Sequence, residues 1–207
     1  MSFDLYLAFI AASAVVLMVP GPTVLLIVAH ALKEGPRATL PTTAGVVAGD
    51  ALAVTITLVG LGALMAASAM LFEVLKWLGA AYLIWLGIRT LMEKPHAAEA
   101  AAARPAASSR RLAGRAFIVT ALNPKSIAFF VAFLPQFVDP AAALAPQLMI
   151  MGATFVALAG INTLAYAFAA SRVARFLTRP LWQSVMRWSS GFVLIGAGVM
   201  TAAMRRA

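Results

Sequence analysis

The chain has no cysteine among its 207 residues, which excludes disulfides, thiolate nucleophiles and thiolate metal sites. Acidic residues are scarce, seven in all, and the two histidines, His30 and His96, fall at the end of an apolar stretch and in a connecting segment. HExxH and GxSxG are absent, so no enzyme, cofactor or metal signature is present. His30 reads as an interfacial residue rather than a base. Charged residues make up only 11% of the chain, whereas hydrophobic residues make up 63% and the mean hydropathy is +0.93. A soluble domain of this size cannot reconcile those values with a wet surface, so the sequence predicts a polytopic membrane protein.

The apolar stretches run from Leu5 to Ala31, Thr42 to Ala67, Phe72 to Leu91, Ala116 to Phe137, Leu148 to Ala170 and Trp188 to Met204. Each is long enough to cross hydrocarbon as a helix of about 20 residues, the last being near the short limit. The predicted fold is therefore all-α, with six transmembrane helices. The first stretch lacks the basic start of a signal peptide, carries Asp4, and continues beyond Pro22, so it is expected to be retained.

The net charge of +9 does not call for a nucleic-acid partner. Twelve of the sixteen basic residues fall in the odd-numbered loops: Lys33 and Arg37, then Arg89, Lys94, Arg104, Arg110, Arg111 and Arg115, then Arg172, Arg175, Arg179 and Arg187. The other side has Lys76, Arg205 and Arg206, leaving Lys125 alone within a span. The positive-inside rule then places both termini outside, and the basic loops face an anionic cytoplasmic leaflet. The tryptophans Trp77, Trp85, Trp182 and Trp188 read as interface anchors.

Residues 92–112, rich in alanine with Pro95 and Pro105, form a candidate cytoplasmic linker between repeats at 1–91 and 113–207. Three spans on either side force the second half to enter the membrane inverted. Aligning Val74-Leu75-Lys76-Trp77 with Val185-Met186-Arg187-Trp188 also matches Leu83-Ile84 with Leu194-Ile195 and Gly87 with Gly198, as an inverted repeat would. The first and fourth spans are both broken by proline, at Pro20-Gly21-Pro22 and at Asn123-Pro124-Lys125. Backbone groups freed by proline are tolerated in a bilayer only where protein or a watery cavity satisfies them, so such breaks line pathways. Counted from the cytoplasmic basic residues, each lies about 15 Å deep, near the midplane. Gly21, between two residues that lack a donor and able to take positive φ, favours an unwound turn over a gentle kink.

Asp50 is the sole acid deep within a span, and intramembrane acids mark ion or substrate paths. It can serve as a proton carrier or pair with Lys125. Lys125 can meet Asp50, a solute carboxylate or neither, and Asn123 can hold the backbone at the break or bind a solute. Asn162, in the fifth span, is the nearest counterpart of Asp50 in the second half. Gly45 and Gly49 form a GxxxG beside Asp50, a motif more often used for helix packing than for ligands. Because the second break brings Asn123 and Lys125, the fourth span is expected to contribute more to solute recognition than the first.

At Pro20-Gly21-Pro22, Gly45-x-x-x-Gly49-Asp50, Lys76-Trp77-Leu78-Gly79-Ala80-Ala81-Tyr82-Leu83, Asn123-Pro124-Lys125, Phe129-Phe130 and Phe133-Leu134-Pro135-Gln136-Phe137 the chain resembles the LysE/RhtB family of amino-acid exporters. The resemblance spans nearly the whole sequence. It implies a bacterial inner-membrane exporter of small amino acids or derivatives, driven by protons. Some arginine exporters of that family carry a second acid after the Asn-Pro, where this chain has Phe129. One carboxylate facing one ammonium suits a zwitterion, and the branch exporting homoserine, its lactone or threonine is the closer likeness. Alternatives are an exporter of another solute or cation, a channel, and a non-transport membrane scaffold; a homodimer is among the candidate assemblies.

Overall fold

The computed structural model of the chain describes residues 1–67, 69–92, 109–139, 141–177 and 180–203. His96, Arg104, Arg205 and most of the expected linker lie outside them. Among the described residues the fold is all helical, with no strand. Helix α1 (Phe3–Met18) starts at Ser2, whose hydroxyl accepts from the Leu5 amide at 3.3 Å. After a break at Val19–Gly21, α2 (Pro22–Glu34) begins with proline at its first turn, where the missing donor costs nothing. The two helices are bent by 59°. Gly35 ends α2 at φ 88°, the one positive φ among the described residues, with its amide on the Ala31 carbonyl at 2.9 Å. Gly21 instead sits at φ −119°, ψ −171°, an extended conformation open to any residue. The expected unwound turn is present, but the two prolines make it, not a left-handed glycine.

A short 3₁₀ turn (Pro36–Thr39) leads into α3 (Leu40–Ala67), followed by α4 (Ala69–Met92). The remainder comprises α5 (Ser109–Ala121), α6 (Pro124–Phe133), a 3₁₀ turn (Leu134–Phe137), α7 (Leu144–Phe168), α8 (Ala170–Leu177) and α9 (Pro180–Ala203). Among the described residues, three helical stretches are long and apolar enough to cross a bilayer by themselves: Pro36–Gly60, Glu73–Met92 and Leu144–Phe168. The bent pair α1–α2 makes a fourth if it is one span.

The core is aromatic. Phe130 and Phe155 meet edge to face with centroids 4.5 Å apart, Phe129 lies against both, and Phe9 stands on Phe137 at 5.5 Å. All five are buried and join α1, α6 and α7. Outside, Ile56, Val59, Ile118, Met149, Ile161 and Phe192 are exposed, an apolar surface that suits lipid rather than water. Trp77, Trp85 and Trp188 are about half exposed on that outer surface.

Glycine sets two close helix crossings. A β-carbon at Gly45 would fall 2.2 Å from the Ala113 carbonyl oxygen, and one at Gly49 would fall 2.6 Å from that of Phe117, so α3 lies backbone to backbone on α5. A second crossing joins α4 and α9. There a β-carbon at Gly87 would reach the Gly191 carbonyl and Ile195, each at 2.7 Å, and one at Gly198 would reach the Ala80 carbonyl and Ile84, also at 2.7 Å. The alignment that pairs Gly87 with Gly198 also pairs Gly191 with Ala80 and Ile195 with Ile84. At these positions the crossing is closely, though not fully, matched when α4 and α9 are exchanged, since Gly191 corresponds to Ala80 and also packs on Leu91. The α3–α5 crossing has no such partner, since Gly152 and Gly160 of α7 face α3.

Candidate functional site

Ending a helix inside an apolar body leaves its last carbonyls without donors. In α1 the cause is explicit in the sequence. Val16 and Met18 would receive the amides of the residues four positions on, and these are Pro20 and Pro22, which have none. Unwinding at Val19–Gly21 strands Leu17 and Val19 as well. All four carbonyls are nonetheless satisfied by side chains from the second half of the chain. The Lys125 ammonium donates to Val16 at 3.0 Å and to Val19 at 2.9 Å. Asn162 Nδ2 donates to Leu17 at 3.1 Å, and the Tyr166 hydroxyl to Met18 at 2.7 Å.

The second break is built differently. Asn123 is extended and its Oδ1 accepts from the Lys125 amide at 3.1 Å, which caps α6 from within. Its own amide returns to the Thr120 carbonyl at 3.0 Å. By contrast Gly21, at the start of α2, offers no side-chain cap. The two breaks lie side by side, since the Thr23 and Thr120 hydroxyls are 3.3 Å apart. The Thr120 Cβ also lies 2.9 Å from where Gly49 would carry a β-carbon, bringing the neighbouring Asp50 to the same place.

Asp50 is buried, only 4% exposed, and makes no hydrogen bond or ion pair within 4.0 Å among the described residues. Lys125 is the charge whose field reaches it, but the two do not touch. Of the outcomes open to Lys125 from sequence, contact with Asp50 is thus not the one adopted. The ammonium is held by backbone oxygens, and the carboxylate is left able to take a proton or a cationic group.

The structure therefore brings together Pro20, Gly21, Pro22, Asn123, Pro124, Lys125 and Asn162, with Asp50 and Gly49 adjacent. Gly45 stands one turn away and packs against α5. Sequence reasoning missed Tyr166, Thr23 and Thr120. Tyr166 had a signal: it follows Asn162 by four residues, which places both polar groups on one face of an otherwise apolar helix. His30 is not left free on the outer surface. It is buried, its Nδ1 is 2.8 Å from the Thr42 hydroxyl, and its Nε2 is 3.7 Å from Glu34, so it ties α2 to α3. No group of three or more His, Cys, Asp or Glu that could hold a metal occurs among the described residues.

These contacts predict the effect of Lys125→Met. Losing both donors leaves two carbonyls unsatisfied, each at a cost of about 1–3 kcal/mol. The purified variant is expected to melt well below the wild type, whereas Tyr166→Phe, losing one donor, is expected to cost about 1 kcal/mol. Thermal unfolding in detergent checks both, and an unchanged midpoint for Lys125→Met would contradict the clamp.

Comparison with known proteins finds membrane and efflux proteins. The homoserine/homoserine lactone efflux protein of Salmonella typhimurium is 31% identical over 207 residues, covering 100% of both chains. An uncharacterized membrane protein of Vibrio cholerae is 31% identical over 202 residues, 98% of each chain. The leucine efflux protein of Klebsiella pneumoniae is 33% identical over 141 residues, 65% of this chain and 63% of its own. No solved structure matches the chain. The LysE type translocator family matches residues 14–205. The family is one of translocators and not of enzymes, and over residues 14–205 the match is decisive: the chain belongs to the LysE type translocator family.

Proposed function

We propose that the chain is a secondary active exporter of small zwitterionic amino acids or their derivatives, of the homoserine, homoserine lactone or threonine type, coupled to protons. The observation that carries this reading is the meeting of the two breaks. Lys125 of the second reaches the carbonyls of the first, and a buried, unpartnered Asp50 lies alongside. Relatives named for homoserine and leucine efflux support the solute class.

The proposed arrangement has six spans as two inverted three-helix halves, with α1–α2 and α5–α6 as the broken first and fourth spans, in the bacterial inner membrane with both termini outside. The nearly exchange-symmetric α4–α9 crossing and the asymmetry of basic loops favour it. Alternating access then rocks the halves about the midplane. The solute carboxylate binds at the uncapped N-terminus of α2, where free amides and the helix dipole favour an anion. Asp50 holds the solute ammonium or, in the return step, a proton. Here the sequence-based expectation is reversed: Asn123 and Lys125 already have internal partners, so the first span is proposed to contribute more of the recognition.

The test is a flux screen from proteoliposomes loaded with homoserine, homoserine lactone, threonine, leucine, lysine and arginine, with and without an imposed proton gradient. Zwitterions and the lactone are expected to move uphill against their own gradient only when protons move down theirs. Gradient-independent, purely downhill flux would indicate a channel, and flux of none of these solutes would remove the proposal.

A further inference from the structure

The end of α1 presents four consecutive carbonyl oxygens, Val16 to Val19, at the negative end of a helix dipole, each taken by a side chain from the second half of the chain. In discontinuous membrane helices such exposed carbonyls are where cations are coordinated. Two of the four, Val16 and Val19, converge on one Nζ at 3.0 and 2.9 Å, ordinary distances for a charge-assisted hydrogen bond. The other two are occupied by neutral donors, Asn162 and Tyr166. The oxygens that need a cation are thus separated from those that do not.

We propose that the Val16 and Val19 carbonyls form a binding site for a primary ammonium or a monovalent cation, and that Lys125 fills it with a tethered ammonium in place of a free ion. The stem enters from α6, whose first turn is fixed by the Asn123 cap, so the ammonium is delivered from an anchored base. Gly21 lies alongside: a β-carbon there would stand 3.9 Å from Nζ, at ordinary van der Waals contact and without a clash. An ammonium has three donors, and the third has no partner among the described residues. The site lies between the two broken spans, so occupying it joins the halves through a charge that belongs to the chain and cannot diffuse away. This inference does not depend on which solute is carried.

The experiment removes the tether and offers the cation from solution. Purified Lys125→Ala is titrated with butylammonium chloride, whose chain matches the atoms removed, with sodium chloride, and with tetramethylammonium chloride, which lacks N–H donors, while thermal unfolding is followed. Butylammonium is expected to raise the melting midpoint saturably, by about 2–4 °C above tetramethylammonium at equal ionic strength. The wild type and Lys125→Met, whose thioether fills the slot, are expected to show no such difference. Because Lys125→Ala leaves Asp50 without a counter-charge, the same titration is run on Asp50→Asn/Lys125→Ala, which carries neither group. A sodium-specific rise in either alanine variant also supports the site and identifies it as open to a bare ion. No cation-specific rise in either variant, an equal rise in the wild type, or failure to recover folded variant protein even with butylammonium present overturns the proposal.

Discussion

Replacing Asp50 by asparagine is expected to abolish uphill efflux while leaving the protein folded. The carboxylate is buried and has no hydrogen bond or ion pair among the described residues, so little of the fold depends on its charge. An uncompensated buried charge is costly to keep. Asparagine has nearly the same shape, and Asp50→Asn is expected to melt at or above the wild-type midpoint. Transport should behave oppositely. If Asp50 holds the solute ammonium, removing its charge weakens binding by about 2–4 kcal/mol, on the order of 100-fold. If it carries the proton, an amide cannot, and coupling disappears even where downhill exchange survives. Measuring counterflow and proton-driven efflux in the same liposomes separates these roles. Full proton-driven efflux by Asp50→Asn would remove the acid from both.

Gly45→Ala is expected to destabilise the protein strongly. Its β-carbon would fall 2.2 Å from the Ala113 carbonyl oxygen and 3.0 Å from the Ala113 Cα. No side-chain rotation relieves a contact between two backbones, so α3 and α5 must move apart along the length of their crossing. Overpacking of this kind costs about 3 kcal/mol or more. Separation would also draw Asp50 away from the Thr23–Thr120 junction, so activity should fall with stability. Gly60→Ala, in the same helix, provides the control. Nothing lies within 4 Å of its added carbon, and alanine favours the helix by about 0.5–1 kcal/mol, so that variant should melt at or above the wild type. Equal midpoints for the two variants would show that the crossing is looser than described.

The landmarks of the site could be read from the sequence because each is a rare residue in a uniform background. Proline at 20, 22 and 124, aspartate at 50 and lysine at 125 stand out where almost everything else is apolar. Their partners could not be read in the same way. In water a helix reveals its inner face by polarity, but α3 and α7 are apolar over most of their circumference, so the side of α7 facing α1 is marked only by Asn162 and Tyr166. Lys125 was open between Asp50 and other partners because opposite charge is visible in a sequence and a stranded carbonyl is not. Yet the carbonyls win: they are fixed in place by Pro20 and Pro22, whereas Asp50 stands beyond contact. The contacts of His30 are hidden for a related reason. Its position at a span end suggested the membrane surface, but the turn at Gly35 folds α3 back over α2 and buries the imidazole against Thr42.

Exchanging α4 and α9 nearly reproduces their crossing, with Gly87 on Gly191 and Ile195 becoming Gly198 on Ala80 and Ile84. A contact with that property is as well satisfied when one helix tilts toward one membrane face as when the other does. In the proposed alternating-access cycle it would act as a balanced pivot, joining the two helices without favouring either end of the stroke. Preference for release on one side of the membrane must then come from parts that are not exchangeable, the clamp on α1 and the unpartnered acid, and from the gradients acting on them. On this view the direction of transport is a property of the load and not of the hinge.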